Sequence, residues 1–213
     1  MVYSMLQTEL VRARVAGSKD LLIALHGLGD SMEGYRWVPE MIGAPTLNVL
    51  LVNAPDAYYG GFSWYEYAGP AEVTAQGVER SYRLVEGLLN KCVEDGFATE
   101  RTILFGFSQG CLMCTETAVR YSKRLAGVIG VSGYIYDVQR LLKLASPVAK
   151  EQKFLITHGT DDPLIPLRNA QADFGTLKAE GFQVDFRTYP KVHTIIEPEL
   201  ELFRGFIAER FKN

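Results

Sequence analysis

Residues Thr102–Gly110 read Thr-Ile-Leu-Phe-Gly-Phe-Ser-Gln-Gly, an apolar run that ends in the pattern Gly-x-Ser-x-Gly centred on Ser108. The apolar residues predict a buried strand over Thr102–Phe107. The next segment, Gln109–Tyr121, has the apolar spacing of a helix. A strand, a turn at a serine and a helix are the setting of a nucleophile elbow, so Ser108 is the candidate nucleophile.

The two glycines of this pattern have a physical role in such a turn. A nucleophile elbow strains the backbone and brings strand and helix close together, so side chains at Gly106 and Gly110 would collide with their surroundings. The bare pattern also arises by chance, and the structural alternative is a glycine-rich turn with an incidental serine. Motifs elsewhere in the chain are needed to distinguish a nucleophile elbow from such a turn.

Other apolar runs alternate with helical patterns, which predicts a mostly parallel sheet covered by helices on both faces, a three-layer α/β sandwich. The predicted strands are Leu6–Val15 as an exposed edge strand, Asp20–Leu25, Leu47–Asn53, Thr102–Phe107, Ala126–Ser132, Lys153–Thr157 and Phe182–Tyr189. The predicted helices are Tyr35–Ile42, Val73–Asp95, Gln109–Tyr121, Val138–Ala145, Pro166–Glu180 and Glu197–Phe211. Only one short helix falls between Gly133 and Lys153, so we expect no cap domain and an open active site.

Size and charge restrict the class of protein. A chain of 213 residues without repeats or linkers favours a single domain over 1–213. The 22 basic and 25 acidic residues form no blocks of one sign, which argues against nucleic-acid binding and favours a small or weakly charged substrate. The first fifteen residues lack the apolar middle of a signal peptide, and no apolar run is long enough for a membrane span. We therefore expect a soluble, cytoplasmic protein.

Three cysteines, Cys92, Cys111 and Cys114, cannot all pair within one chain, and a reducing cytosol would keep them as thiols. Cys111 and Cys114 form a Cys-x-x-Cys pattern, which could be a redox pair. They fall on the helix predicted to be buried after Ser108, where free cysteine packs as a small apolar side chain. The packing interpretation is favoured.

A serine becomes a strong nucleophile only when a general base removes its proton, so a histidine partner is required. The chain has three, His26, His158 and His193. In folds with a nucleophile elbow the triad runs in the order serine, acid, histidine, and the histidine follows the last strand. Of the three, His193 fits that order.

The acid is expected in the turn after the predicted strand Lys153–Thr157. Asp161 and Asp162 both qualify by position, and Pro163 fixes the backbone beside Asp162, which favours that residue. The structural alternative for two aspartates ahead of a helix is N-capping, which one of them can fulfil.

Acyl transfer develops negative charge on the carbonyl oxygen, and two backbone N–H groups are needed to stabilise it. One usually comes from the residue after the nucleophile, here Gln109 at a helix N-terminus. The second comes from the loop after an early strand, here His-Gly-Leu-Gly-Asp at 26–30. Leu28 is the candidate donor, and His26 is interpreted as a structural histidine that braces this loop.

The motifs HGLGD at 26–30, GFSQG at 106–110 and HGTDDPLIP at 158–166, followed by His193, resemble the phospholipase/carboxylesterase family of α/β-hydrolases, which includes the acyl-protein thioesterases. The resemblance covers nearly the whole chain. The family's Gly-x-x-Asp-x-x-Val-Pro motif, matched through Gly159, Pro163 and Pro166, selects Asp162 as the acid. The resemblance also implies Leu28 and Gln109 as oxyanion donors, and homodimers are familiar in the family.

Two positions depart from the family pattern. Cys111 stands where the family usually has a second glycine after the elbow, which adds bulk behind the nucleophile without changing the triad. Trp64-Tyr65-Glu66 stands where the family typically has tryptophan, an aromatic residue and aspartate. This second departure bears on the substrate.

Aromatic residues are dense between Ala57 and Tyr67, which suits an apolar acyl groove beside the nucleophile. Phe62, Trp64 and Tyr65 are the candidate substrate-binding residues. The structural alternative is a loop whose aromatic side chains anchor it to the core.

Together these features predict a serine carboxylesterase that hydrolyses carboxylic esters or thioesters through an acyl-enzyme, without metal or cofactor. The expected partner is a small or lipid-like acyl ester, or an acylated protein. Acyl-protein thioesterase and lysophospholipase are the alternatives that use the same machinery. A dienelactone hydrolase would carry cysteine in place of Ser108, and a non-catalytic binding module on the same fold is the remote alternative.

Overall fold

Seven strands form one central sheet in the computed structural model, which describes residues 6–67 and 69–212. The described strands are β1 (Thr8–Val11), β2 (Asp20–Leu25), β3 (Leu47–Val52), β4 (Asp56–Tyr58), β5 (Gly61–Ser63), β6 (Thr102–Phe107), β7 (Gly127–Val131), β8 (Lys153–Gly159) and β9 (Gln183–Tyr189). The described α-helices are α1 (Val38–Ile42), α2 (Ala71–Glu94), α3 (Gln109–Arg120), α4 (Val138–Lys143), α5 (Leu167–Ala179) and α6 (Glu197–Arg210).

The strand order in the sheet is β1-β3-β2-β6-β7-β8-β9. β1 pairs antiparallel with β3, and every other neighbouring pair in this sheet is parallel. The central strands β2, β3 and β7 are buried along their whole length. Strands buried on both faces are what a parallel sheet between two helical layers requires.

Helices cover both faces of the sheet, so the predicted three-layer sandwich is confirmed. The side chains of β2 alternate between two apolar clusters, with Leu21, Ile23 and Leu25 on one face and Leu22 and Ala24 on the other. The first cluster includes buried residues of α2, α3, α4 and α5, and the second includes those of α1 and α6. The chain therefore has the α/β-hydrolase fold without a cap domain in its described residues.

The predicted elements agree with the structure except in length and in one hairpin. The edge strand expected over Leu6–Val15 is limited to Thr8–Val11, because β1 pairs with β3 only there. The sequence did not predict the hairpin of β4 and β5, which overlaps the first part of the aromatic segment between Ala57 and Tyr67. Tyr59 and Gly60 both have positive φ at its turn, the conformation of a tight two-residue hairpin.

The ends of the parallel strands position the candidate site. In a parallel sheet all carboxyl ends lie at the same edge, where ligands bind in open α/β folds. The turns after β2, β6 and β8 and the loop after β9 carry the candidate residues of the sequence. Between Gly133 and Lys153 the chain forms only α4 and a short 3-10 helix. Within residues 6–67 and 69–212, no helix is long and apolar enough to cross a membrane. The expectation that the first fifteen residues are no signal peptide includes residues 1–5, which lie outside the described residues.

Candidate active site

Ser108 lies at the turn between β6 and α3 in a strained backbone conformation. Its φ is 53° and its ψ is −116°. Non-glycine residues seldom adopt positive φ, and such strain is retained where the surrounding structure fixes it, often at functional sites. The Ser108 N–H donates to Val131 O at 2.9 Å, which continues the pairing of β6 with β7 into the turn. The strand-turn-helix setting expected for an elbow is therefore present.

The glycines on either side of Ser108 allow β6 and α3 to approach each other. A Cβ at Gly106 would lie 2.3 Å from Gly110 O, and a Cβ at Gly110 would lie 2.0 Å from Leu25 O. Both distances are far below van der Waals contact with backbone atoms that cannot move away. A side chain at Gly106 would therefore push α3 away from β6, and one at Gly110 would push α3 away from the end of β2.

Cys111, the first departure from the family pattern, packs against two glycines on and after β7. It is fully buried, and its Sγ would lie 2.5 Å from a Cβ at Gly130 and 2.3 Å from a Cβ at Gly133. Small residues on and after β7 thus accommodate the larger side chain on α3. Burial raises the pKa of Cys111 to about 12 and also raises the pKa of Cys114, so both thiols stay protonated at neutral pH. The two cysteines pack as apolar side chains.

The loops after β8 and β9 bring an aspartate and a histidine together. Asp162 Oδ2 lies 2.7 Å from His193 Nδ1. Asp162 Oδ1 accepts the N–H groups of Leu164 and Ile165, each at 2.9 Å. Burial alone would raise the pKa of Asp162, but the hydrogen bonds from Ile165 N–H, His193 and Leu164 N–H outweigh it and lower the pKa. The carboxylate is therefore held charged beside the imidazole.

Asp161 has a different environment. Its carboxylate is exposed and accepts the hydroxyl of Thr160 at 3.0 Å, while its N–H donates to Lys191 O. Of the two aspartates that the sequence left open by position, Asp162 is the one in contact with His193.

The other two histidines are buried and support loops. Ala54 N–H donates to His26 Nε2 at 3.0 Å, and His26 Nδ1 lies 2.6 Å from Gly27 O. This pair of contacts fits a neutral imidazole with its proton on Nδ1, and burial lowers the pKa of His26. His158 Nε2 lies 2.9 Å from Ile165 O, which holds the turn that carries Asp162. Both positions agree with structural roles.

A cavity of about 390 Å³, which we call the acyl cavity, joins the candidate residues. Ser108 and His193 both line it, as do Leu28 and Gln109. Gln109 is the first residue of α3, where N–H groups have no partner within the helix. The loop of Leu28 is fixed by β5, since Gly29 N–H donates to Phe62 O at 2.9 Å and Phe62 N–H donates to Asp30 O at 2.8 Å.

The three candidate substrate-binding residues lie behind this cavity rather than on its wall. Trp64 and Tyr65 are fully buried. Trp64 Nε1 donates to His26 O at 2.9 Å, and the Tyr65 hydroxyl lies 2.6 Å from the Tyr134 hydroxyl. Phe62 is half-buried and pairs with the loop at Asp30. These residues anchor their segment to the core, which agrees with the interpretation of the segment as an anchored loop rather than as the wall of an acyl groove.

Other side chains form the wall of the acyl cavity. The residues beyond the candidate donors, nucleophile and base are Gly27, Asp30, Tyr58, Phe107, Tyr134, Tyr67, Leu164 and Ile165. Tyr58 and Tyr67 belong to the aromatic segment that the sequence singled out. Tyr134, after β7, carries no local motif, and sequence reasoning missed it.

The side chain of Gln109 has a second function that the sequence did not reveal. Its Oε1 accepts Trp64 N–H at 3.0 Å, and its Nε2 donates to Tyr65 O at 3.1 Å. These bonds join the first turn of α3 to the aromatic segment. They fix the position of the Gln109 backbone beside Ser108.

A buried ion pair anchors the loop of His193. Lys191 Nζ donates to Glu199 Oε1 at 2.6 Å and to Thr194 O at 2.7 Å, and both charged side chains are almost completely buried. Glu199 Oε2 accepts Ile196 N–H at 2.9 Å. The loop between β9 and α6 is therefore held by charged groups on both sides of His193.

Comparisons with known proteins place this site in context. The model of the family described as phospholipase/carboxylesterase matches residues 7–210. Acyl-protein thioesterase 1 of Debaryomyces hansenii is 28% identical over 95% of this chain and 96% of that protein. Acyl-protein thioesterase 1 of Schizosaccharomyces pombe is 31% identical over 72% of this chain and 74% of that protein. A probable carboxylesterase of Oryza sativa is 26% identical over 94% of this chain and 81% of that protein.

Solved structures share the fold. The crystal structure of Arabidopsis thaliana SOBER1 superposes with a TM-score of 0.82 at 24% identity and covers 90% of this chain and 99% of that one. Zea mays acyl-protein thioesterase 2 superposes with a TM-score of 0.80 at 23% identity, with 97% of this chain and 99% of that one covered. At these identities the superpositions show a shared architecture.

Proposed function

Because this chain belongs to the phospholipase/carboxylesterase family, we propose that it is a serine carboxylesterase with Ser108, His193 and Asp162 as its catalytic triad. The chain is a hydrolase of the esterase type that acts on esters or thioesters. The observation that carries the triad assignment is the 2.7 Å contact of Asp162 with His193 at the cavity that also contains Ser108.

Asp162 sets the proton positions of His193 in this mechanism. With a carboxylate at Nδ1, the imidazole places its proton there and leaves a lone pair on Nε2. Nε2 removes the proton of Ser108 Oγ as Oγ attacks the carbonyl carbon of the substrate. The resulting imidazolium is stabilised by the charged Asp162.

The tetrahedral intermediate places a negative charge on the former carbonyl oxygen. We assign the N–H groups of Leu28 and Gln109 as its donors, since both residues line the acyl cavity with Ser108. When the intermediate collapses, the bond between the acyl carbon and the leaving oxygen or sulfur breaks. His193 gives its proton to that leaving atom, and the acyl group remains on Ser108.

Hydrolysis of the acyl-enzyme repeats these steps with water. His193 removes a proton from a water molecule, the hydroxide attacks the acyl carbon, and the bond to Ser108 Oγ breaks. Ser108 recovers its proton from His193, and the carboxylic acid leaves. Each proton and bond is accounted for by the triad and water, so the mechanism uses no cofactor.

A second candidate activity is acyl-protein thioesterase, because relatives named acyl-protein thioesterase 1 align with most of the chain. An acyl group attached to a folded protein needs an uncovered nucleophile, and the segment 133–153 forms no cap. Lysophospholipase uses the same machinery and is separated from the other two by a panel of ester, thioester and lysophospholipid substrates.

The proposal also includes a single domain over 1–213, a cytoplasmic location and a homodimer. Cell fractionation tests the location, and light scattering tests the homodimer.

The proposed triad is tested with Ser108→Ala and a matched control, Ser122→Ala, since Ser122 is exposed beyond the end of α3. We expect Ser108→Ala to lower kcat on p-nitrophenyl butyrate by several orders of magnitude and to abolish labelling by a fluorophosphonate. Ser122→Ala should match the wild type in both. Full activity of Ser108→Ala would refute the assignment, and a wild-type chain that never labels would favour a binding module.

A further inference from the structure

A second cavity of about 690 Å³ lies on the other side of His193, and we call it the outer cleft. It runs between the segment 30–41 and the loop that leads into α6. Phe107, His193 and Asp30 line both cavities, so the two meet at the imidazole. The proposed triad and its chemistry leave the outer cleft without a function.

The chemistry of acyl transfer divides the substrate between the two cavities. The leaving oxygen or sulfur takes its proton from His193, so it must lie within hydrogen-bond reach of the imidazole. The carbonyl carbon must lie at Ser108, with its oxygen at Leu28 and Gln109. These three residues line the acyl cavity and do not line the outer cleft. Because His193 lines both cavities, an alcohol or thiol part that continues from the atom held at the imidazole can enter the outer cleft directly.

The outer cleft combines an aromatic and aliphatic wall with carboxylates. Half-buried Trp37 and exposed Met41 are part of its wall, and Tyr35 also lines it but is almost completely buried, so Trp37 supplies most of the aromatic surface. Among the described residues that line it, Asp30 and Glu197 are the acidic side chains, and none is a lysine or arginine. Both carboxylates are exposed to solvent. An aromatic surface with nearby carboxylates suits a cation that has an apolar body.

Arginines on the neighbouring elements are engaged elsewhere. Arg36 forms an ion pair with Glu9 at 2.6 Å, and Arg204 donates to Met41 O at 2.6 Å. The Arg204 guanidinium is bound at the edge of the cleft through a neutral carbonyl oxygen, so it keeps its full positive charge. Against it stand the two carboxylates of Asp30 and Glu197, which leaves these three groups with one net negative charge.

We propose that the outer cleft is the leaving-group site, and that it favours esters and thioesters whose alcohol or thiol carries a positive charge over neutral and anionic ones. This inference rests on the proposed function, because it uses His193 as the proton donor to the leaving atom. It adds a substrate class that the triad itself does not determine.

Three butyryl thioesters of similar size test the proposal: butyrylthiocholine, its neutral neohexyl analogue in which carbon replaces nitrogen, and the anionic thioester of mercaptopropionate. A disulfide reagent that reports the released thiol follows all three reactions. We expect kcat/KM to fall in the order cationic, neutral, anionic, mainly through KM. In the wild type, salt should reduce the difference, because mobile ions screen exposed carboxylates.

Three variants test whether the carboxylates cause this preference: Glu197→Gln, Asp30→Asn and the double variant. Each substitution should reduce the ratio of cationic to neutral kcat/KM by about two- to fivefold, the range expected of one exposed carboxylate near a bound charge. Glu151→Gln is the matched control, because Glu151 is exposed just before β8, at the opposite edge of the sheet. Its ratio should equal that of the wild type.

The outcomes separate this inference from the proposed function. An unchanged ratio in the double variant, with all three substrates still hydrolysed, overturns the leaving-group proposal and leaves the triad standing. Turnover that survives Ser108→Ala overturns the triad. If Asp30→Asn fails to fold, Glu197→Gln alone decides, because Glu197 is an exposed residue in the first turn of α6.

Discussion

Replacing Lys191 by methionine tests whether the buried ion pair controls the loop of His193. Methionine keeps the length and apolar stem of the lysine and removes its charge. Glu199 then loses the Nζ group at 2.6 Å and keeps only the Ile196 N–H at 2.9 Å, inside a site without solvent. Removing one partner of a buried pair leaves an uncompensated charge and costs about 3–5 kcal/mol in unfolding free energy.

The double variant Lys191→Met/Glu199→Gln gives the coupling between the two charges. A glutamine oxygen can still accept Ile196 N–H, and no charge is left unpaired, so we expect it to recover about 2 kcal/mol or more relative to Lys191→Met. Urea denaturation followed by tryptophan fluorescence measures the free energies of the wild type, Lys191→Met, Glu199→Gln and the double variant, the four values that the coupling energy requires. Arg187→Met is the control, because the Arg187–Asp185 pair is exposed, with relative side-chain exposures of 58% and 51%; it should cost at most about 1 kcal/mol.

Activity separates a positioning role from a purely stabilising one. Lys191 precedes His193 in the loop, and the pair bonds to Thr194 O and Ile196 N–H after it, so its loss should displace the imidazole while both cavities persist. Under conditions where the variant is folded, we expect kcat to fall by about ten- to a hundredfold with little change in KM. A cost below about 1 kcal/mol for Lys191→Met, or a double variant no more stable than the single one, would refute this reasoning.

Three further predictions concern the elbow and the acid. Cys111→Gly should lower the unfolding free energy by about 2 kcal/mol in urea titration, because it opens space against Gly133 and places glycine in a helix; an unchanged midpoint would contradict tight packing there. Cys92, Cys111 and Cys114 should not react with a disulfide reagent at pH 8 until the chain is unfolded, since burial raises the pKa of all three thiols; rapid native labelling would contradict this. The folded-state pKa of Asp162 is lowered from 3.8, so its stabilisation is complete above that value and is lost as pH falls through the folded pKa; the free-energy difference between wild type and Asp162→Asn should shrink on acidification, and a growing difference would contradict the sign.

The sequence predicts most of the fold because its strands and helices are locally explicit. The residues from Ile103 to Phe107 carry no polar side chain, and the predicted strand Thr102–Phe107 has the bounds of β6. Ser108, Asp162 and His193 each follow a strand of the parallel part of the sheet, so the topology explains why all three lie at the same edge. Motifs tied to strand ends can therefore be assigned before any coordinates.

Side chains that act through distant packing are not accessible in this way. Trp64 and Tyr65 lie in a dense aromatic segment, but the direction in which each points depends on the hairpin β4–β5 and on Gln109. Tyr134 reaches the acyl cavity from a turn without any motif. The pairing of Lys191 with Glu199 depends on how the loop folds onto α6, and nothing in its sequence distinguishes a buried charge from a solvated one.

Mapping of the residue that a fluorophosphonate phosphonylates, with loss of fluoride, tests the central claim most directly. The protein is treated with a fluorophosphonate, digested and analysed by tandem mass spectrometry, with Asp162→Asn and Ser122→Ala treated in parallel. The account predicts one adduct per chain, on Ser108 of the peptide that contains Gly106–Gly110, formed much more slowly in Asp162→Asn and at the wild-type rate in Ser122→Ala. An adduct on another residue, or none on Ser108 while esters are still hydrolysed, would contradict it.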